Sequence, residues 1–348
     1  MKTINLVFCI FILIAPTLLA EAKDMKSTES SEKIPLIPGA FWIKNHWQND
    51  EGSAQVEPVH WRSTTSTIPT LNEQQIKINE KGMEALFISG SAAPTLGNML
   101  WLRKTKGKTH PIYILDLRQE THLYINGLPI SLFYKRDEIN WGKTPEAISE
   151  TESAWIKYFL KSGVVKINKL GKPQAGFKVP IQPVIIPIKE VYTEQETAKK
   201  AGVAYIRIDV PDYHPPAPYQ VDQFLTILKK IPPNAWLHVH CAAGNGRTTM
   251  FMVMRDILAN AKYVRLEDII TRQAGLGGID LFGVSPSLAS QPWKKEYHQA
   301  RKDYIRLFYT FVHSGASENQ AFTSWIAKQP DSPYKSLLKT DAYCKTNT

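Results

Sequence analysis

Cysteine is scarce in this chain: three residues in 348, at positions 9, 241 and 344. Cys9 lies in an N-terminal apolar run, and the two that remain are too few for a disulfide framework or a cysteine-based zinc site. A regulatory bridge between Cys241 and Cys344 stays open, with Cys344 read as part of a loose tail. Long hydrophobic runs are equally scarce. The run from Leu6 to Leu19 follows Lys2, is interrupted by Pro16 and ends at Ala20-Glu21-Ala22. That order is a charged start, an apolar stretch too short to span a bilayer and a small-residue cleavage site, so residues 1–22 read as a secretory leader. The mature chain is expected to be exported, periplasmic or secreted, with no stable membrane association. Fixed-period repeats and low-complexity tracts are also lacking, which argues against solenoids and collagen-like arrays. Acidic residues are outnumbered, 32 against 42 basic ones, for a formal charge of +10. A basic chain suggests a polyanionic partner, but the aromatic-basic patterns of single-strand binders are missing, so nucleic acid is not expected.

What is present is a sizeable apolar fraction, 43% of residues, spread in alternating patterns. Short apolar segments at 85–88, Ile112–Leu117, Ala204–Ile208 and Trp236–Val239 read as strands, several followed by helical periodicity. The alternation predicts an α/β fold, a central sheet with helices on both faces. Residues 23–55 are polar and irregular and read as a flexible lead. The core is expected over 56–144 and 196–315, with a C-terminal tail at 316–348. Between the two core parts, 145–195 is rich in Lys, Pro, Val and Ile without helical period, and reads as a small inserted β domain.

The densest chemistry lies at His240-Cys241-Ala242-Ala243-Gly244-Asn245-Gly246-Arg247-Thr248-Thr249. A strand precedes this run, and Met250, Val253, Met254, Ile257 and Leu258 follow at helical spacing, with Asn260 as a stop. A loop between a strand and a helix N-terminus points backbone N–H groups at an anion, and Gly244 and Gly246 let the backbone approach it. The same field, with Arg247, favours a nucleophilic thiolate at Cys241. Arg247 offers a planar fork to two phosphoryl oxygens, Thr248 can donate to the sulfur, and His240 is expected to order the loop by bonding to backbone. No metal or other cofactor is called for.

The run resembles the signature of the cysteine-based phosphatases, and more closely that of the protein-tyrosine-phosphatase-like phytases. Ile114 to His122 with Ile125-Asn126-Gly127, Arg272-Gln273 with Gly277 to Leu281, and His60-Trp61-Arg62-Ser63-Thr64 resemble further segments of that family. The resemblance spans about residues 60 to 312. It implies a phosphatase core with a small partial β-barrel, and hydrolysis of inositol hexakisphosphate and lower inositol polyphosphates through a phosphocysteine intermediate. It also implies a proton donor at Asp212, on the proline-rich loop before Val221-Asp222-Gln223-Phe224, with Asp209 as the rival. The family commonly has histidine directly after the donor. Here Tyr213 stands there, and His214, one later, is the substrate-contact candidate of this loop. Residues Ala242, Ala243, Gly244, Asn245 and Gly246 would hold the phosphate through their amides and Arg62 through its guanidinium. Lysines near the C-terminus would hold the ring's other phosphates, and Lys295 with Lys302, seven apart, are the favoured pair. Arg118 and His122 are weaker candidates. The alternatives are a tyrosine, dual-specificity or phosphoinositide phosphatase, and more remotely a phosphate-binding protein without catalysis. Oligomeric state is left open.

Overall fold

The computed structural model describes residues 37–44, 52–68, 78–174, 176–330 and 333–344. The leader at 1–22 and the parts of the lead at 23–36 and 45–51 lie outside the described residues. Along the rest run eleven strands: β1 (Phe41–Lys44), β2 (Arg62–Ser63), β3 (Ile88–Ser91), β4 (Ile112–Asp116), β5 (His122–Ile125), β6 (Leu128–Phe133), β7 (Val164–Leu170), β8 (Pro180–Pro187), β9 (Val191–Tyr192), β10 (Ala204–Arg207) and β11 (Trp236–His240). The helices are α1 (Leu96–Thr105), α2 (Pro145–Ser162), α3 (Glu194–Ala201), α4 (Pro218–Lys230), α5 (Gly246–Asn260), α6 (Leu266–Gly275), α7 (Lys295–His313), α8 (Ala316–Asn319), α9 (Phe322–Ile326) and α10 (Pro333–Leu338).

Five strands form the central sheet in the order β10-β4-β11-β3-β2, parallel except where β2 runs against β3. Successive side chains of a strand face opposite sides, and β11 shows what that achieves here. Leu237 and Val239 pack with Met250, Val253 and Ile257 of α5, while Trp236 packs with Met99 and Leu102 of α1 and Ala198 of α3. Helices thus cover both faces, as the alternation predicts. The strand expected at 85–88 forms instead at Ile88–Ser91, because the Leu237↔Ile88 to His240↔Ser91 register pairs the segment with β11. Residues on either side of the cysteine loop are therefore anchored in a fully buried strand and a largely buried helix.

A second sheet of six strands runs β8-β7-β1-β6-β5-β9, with its two edges at β8 and β9. It corrects three expectations. First, 145–162 is a helix: Thr144 caps it through its side chain, Pro145 occupies its first turn and Gly163 ends it in the left-handed conformation. Its buried stripe is Ile148, Glu152, Trp155 and Phe159. The glutamate interrupts an otherwise apolar spacing, which hid the helical period. Second, the extra β structure is not confined to 145–195, since β1, β5 and β6 come from outside that span. Third, the lead supplies β1 to the middle of the sheet, between β6 and β7. There Trp42 packs edge-on to Trp155 at 5.2 Å.

The tail is also ordered as far as it is described. Tyr334, Tyr343 and Cys344 are buried, and the Tyr343 hydroxyl donates to the Pro215 carbonyl at 2.6 Å. A loose tail at 316–344 is therefore excluded, and Cys344 is a small buried side chain in it. Because Trp42 is buried among aromatic rings, Trp42→Ala should destabilise the protein by about 3–5 kcal/mol, the usual cost of deleting a core aromatic. Urea unfolding would measure it, and a loss under about 1 kcal/mol would mean that β1 contributes little.

Candidate active site

The loop 241–246 leaves β11 under tight steric constraint. Gly244 adopts φ +75°, and a Cβ there would stand 2.4 Å from the Ala92 nitrogen at the end of β3. A side chain is excluded on both counts. The loop carbonyls are tied down from outside: Ala93 N–H donates to Ala242 at 3.2 Å and His60 Nδ1 donates to Ala243 at 2.7 Å. With its carbonyls held outward, the loop surrounds Cys241, whose buried sulfur accepts from the Thr248 hydroxyl at 3.3 Å.

Arg247 is buried and meets four acceptors. Its Nη1 and Nη2 donate to the two oxygens of Glu120, at 2.7 and 2.9 Å, and Nη1 also reaches the Leu117 and Val210 carbonyls. Burial alone would raise the Glu120 pKa, but the facing guanidinium holds it below the ordinary value. Asp212 Oδ1 lies 3.3 Å from Arg247 Nη2. Its rival Asp209 is bound elsewhere, 2.7 Å from Arg207 Nε, where burial pushes its pKa up to about 6 against the pull of that arginine. Geometry therefore brings Asp212, and not Asp209, to the cysteine loop's arginine.

Glu120 was not singled out in the sequence, and neither was Asp137. Asp137 is buried with φ +72°, and one of its oxygens has no partner among the described residues. Burial first, then the charges of Glu120 and Asp212, raises its pKa well above the ordinary value, which favours its neutral form. Glu120 carried a faint signal as the last letter of an Asp-Leu-Arg-Gln-Glu run; Asp137 carried none.

Arg62 reaches the site from β2. It is buried, donates to Thr249 Oγ1 at 3.0 Å and to the His60 carbonyl, and its pKa is lowered to about 10 by burial, against the attraction of Cys241. The Nε atoms of Arg62 and Arg247 are both buried without an acceptor among the described residues. Two unmatched cationic donors beside one thiol are the site's clearest electrostatic feature.

Three expectations need correcting. The cationic pair from the C-terminal segment is not Lys295 and Lys302. Lys302 donates to the Phe282 carbonyl at 2.7 Å and Lys295 is exposed. Their neighbours Lys294 and Arg301 lie against the loops that carry Tyr213 and Gly246, because one residue turns a helix by about 100°. Arg301 is buried, and a Cβ on Gly246 would stand 2.4 Å from its Nη1, so the second loop glycine makes room for this guanidinium. Lys294 Nζ sits 4.8 Å over the Tyr213 ring, and burial lowers its pKa against the pull of Asp212. The second correction concerns His214, which is only 1% exposed and so offers no surface to a ligand. It donates from Nδ1 to the Asp212 carbonyl at 2.7 Å, within rings of Trp141, Tyr297 and Tyr343, and burial lowers its pKa to about 4. It is a neutral brace of the loop. Third, His240 meets a side chain and not backbone: Nε2 lies 2.8 Å from Glu194 Oε1, an ion-pair distance without hydrogen-bond alignment.

Glu194 belongs to a buried polyion beneath the loop. Arg118 pairs with Asp116 and Glu194, and His122 Nε2 lies 3.0 Å from Asp116 and 3.2 Å from Glu194. Asp116, Glu194 and His240 present metal-type ligand atoms within 4.8 Å of one another, but Arg118 and His122 already supply the countercharge. Arg118 and His122 are thus supports under the site. Burial and Arg118 press the His122 pKa down, and the carboxylates around it more than offset both, leaving it at about 9. Since the folded value exceeds the unfolded 6.5, His122 contributes stability that is complete below pH 6.5 and lost as pH rises through about 9. Urea midpoints measured from pH 6.5 to 9.5 should therefore fall more steeply for the wild type than for His122→Gln, and parallel falls would contradict this assignment.

Comparisons with known proteins agree with this geometry. Residues 115–259, which hold Glu120, Asp212 and the cysteine loop, match the family model of the protein-tyrosine-phosphatase-like phytases, described as inositol hexakisphosphate. The effector protein hopD2 of Pseudomonas syringae pv. tomato is 31% identical over 226 residues, 63% of this chain and 46% of that protein. Among solved structures, the tandemly repeated protein tyrosine phosphatase like phytase of Mitsuokella multacida is similar with a TM-score of 0.75 and 30% identity over 86% of this chain and 50% of that one. A PTP-like phytase from Bdellovibrio bacteriovorus is similar with a TM-score of 0.61 and 26% identity over 83% of this chain and 95% of that one. The chain spans about half the length of the hopD2 and Mitsuokella proteins. On its loop, its sheet order and these matches, the chain shares the fold of the protein-tyrosine-phosphatase-like phytases and matches their family model over residues 115–259.

Proposed function

We propose that this chain is a cysteine-dependent phosphatase that hydrolyses inositol hexakisphosphate and lower inositol polyphosphates. The observation that carries the reading is one cluster: Cys241 under the Thr248 hydroxyl, with Asp212 within 3.3 Å of Arg247. A nucleophile, a guanidinium with one unmatched N–H and a proton donor stand together. In the first step the Cys241 thiolate attacks phosphorus in line; the S–P bond forms as the P–O bond to the ring breaks, and Asp212 gives its proton to the leaving oxygen. Loop amides and the unmatched Nε of Arg247 hold the equatorial oxygens. Water then attacks the phosphocysteine, Asp212 takes up the water's proton, and the S–P bond breaks to release inorganic phosphate while Thr248 donates to the departing sulfur. None of these steps uses a metal.

Substrate choice follows from charge around the cluster. Arg62, Lys294 and Arg301 converge on the loop from β2 and from the start and first turns of α7. Three cations beyond Arg247 exceed what a single phosphate requires and suit a ring bearing several. The PTP-like myo-inositol phosphatase of Mitsuokella multacida, solved in complex with myo-inositol-(1,3,4,5)-tetrakisphosphate, is 29% identical to this chain, with a TM-score of 0.75, and supports the reading. Export is part of the proposal, on the leader pattern of residues 1–22.

Phosphate release from inositol hexakisphosphate, a phosphotyrosine peptide and a phosphoinositide tests the reading. Inositol hexakisphosphate should be turned over fastest and Cys241→Ser should abolish release; faster turnover of peptide or lipid would overturn the substrate assignment. Asp212→Asn should slow the inositol substrate by about 10²–10⁴-fold. Arg301→Met should raise KM for it about tenfold, the worth of one charged hydrogen bond, while Lys295→Met stays within about twofold. The reverse order would restore the Lys295 assignment.

A further inference from the structure

Tyr213 stands where the family commonly has histidine, and its backbone is at φ +65°. A bulky side chain in the left-handed region is strained, and such a conformation persists only where its surroundings enforce it. The enforcing group is aromatic. The Tyr213 ring meets Trp293 edge-on, with centroids 4.9 Å apart and planes at 83°, and Trp293 is fixed in a 3₁₀ turn, Pro292–Lys294, that leads into α7. Trp293 is braced in turn. The Arg136 guanidinium lies 4.5 Å from the Trp293 ring centroid and 5.1 Å from that of Phe177, in the turn joining β7 to β8. Arg136 Nε and Trp293 Nε1 are buried without hydrogen-bond partners among the described residues, so stacking is what locates both groups.

We infer that Trp293 is a positioning residue for the proton donor: it holds Tyr213, and through it Asp212, over the cysteine loop, with Arg136 as the brace that ties this contact to the β7–β8 turn. Trp293 touches no reacting atom in this scheme; it acts through its neighbour. The consequence is selective. Asp212 is needed as a donor when the leaving oxygen is a poor alkoxide and is nearly dispensable when it is a stable phenolate, so displacing Asp212 must damage one class of substrate and spare the other. A displacement of about 1 Å is enough to cost on the order of 10²-fold.

The inference rests on the phosphatase reading, and the test separates the two. Steady-state kinetics are compared on β-glycerophosphate, which has an alkoxide leaving group, and on p-nitrophenyl phosphate. Wild-type turnover of both, lost in Cys241→Ser, secures the phosphatase reading whatever Trp293 does. Trp293→Leu should then lower kcat on β-glycerophosphate about 10–100-fold while changing kcat on p-nitrophenyl phosphate by less than about threefold. Trp293→Phe, which keeps an edge-on ring, should recover most of the loss. Arg136→Leu, remote from the loop, should show a weaker version of the same contrast. Equal losses on both substrates would mark Trp293 as a structural residue, and no loss on either would remove the coupling; each result overturns the inference. Absence of wild-type turnover on both substrates would defeat the phosphatase reading and this inference with it.

Discussion

A buried guanidinium must be met by fixed oxygens or the charge makes burial prohibitive, and Arg247 is met on every side but one. Glu120 takes both terminal nitrogens, the Leu117 and Val210 carbonyls take further N–H bonds, and Asp212 lies alongside. Those partners come from three separate places: the segment after β4, the end of the β10 connection and the proline loop. One side chain thus fixes the relative positions of the cysteine loop, Asp212 and the carboxylate that orients the fork. Bidentate geometry makes this more specific than a point charge could, which is why lysine could not replace it. Only Nε is left over, and it faces no acceptor among the described residues.

Beneath this pair the structure spends an unusual number of buried charges. Asp116, Arg118, His122, Glu194 and His240 meet under the loop, and Arg207 extends the network by joining Glu152 of α2 and Asp209. Individually such ions are costly to bury; together they satisfy one another and define a single arrangement of β4, β11 and α3. The network also joins the two sheets, because His122 and Glu152 belong to β5 and α2 while Asp116 and His240 belong to the central strands. Rigidity at the base of the loop contrasts with the aromatic contacts above it, where stacking of Tyr213, Trp293 and Arg136 replaces directed hydrogen bonds.

Sequence reading went furthest where chemistry is local. The strand, the loop and α5 could be read from ten residues and their flanks, since the glycines, cysteine and arginine are adjacent and each has a distinct physical requirement. It went less far where the answer depends on long-range packing. Glu152 is buried because Arg207, fifty-five residues away, neutralises it, so α2 lost its apolar period in the sequence. Phe41–Lys44 is a strand because β6 and β7 flank it, and its signal, the three apolar residues Phe41-Trp42-Ile43, is too short to stand out from the polar residues around it. The exchange of Lys295 and Lys302 for Lys294 and Arg301 is subtler. Both pairs have the same spacing, and only the rotation of α7 on the core, set by Tyr304, Ile305 and Phe308, decides which faces the loop.

The proposed mechanism puts the phosphoryl group on the Cys241 sulfur. Rapid mixing with inositol hexakisphosphate, acid quench and mass analysis of the peptide that contains residue 241 tests this directly. The account predicts a phosphoryl adduct on Cys241 that forms and decays on the timescale of turnover. Release of inorganic phosphate with no adduct on Cys241, or with the adduct on another side chain, would contradict it.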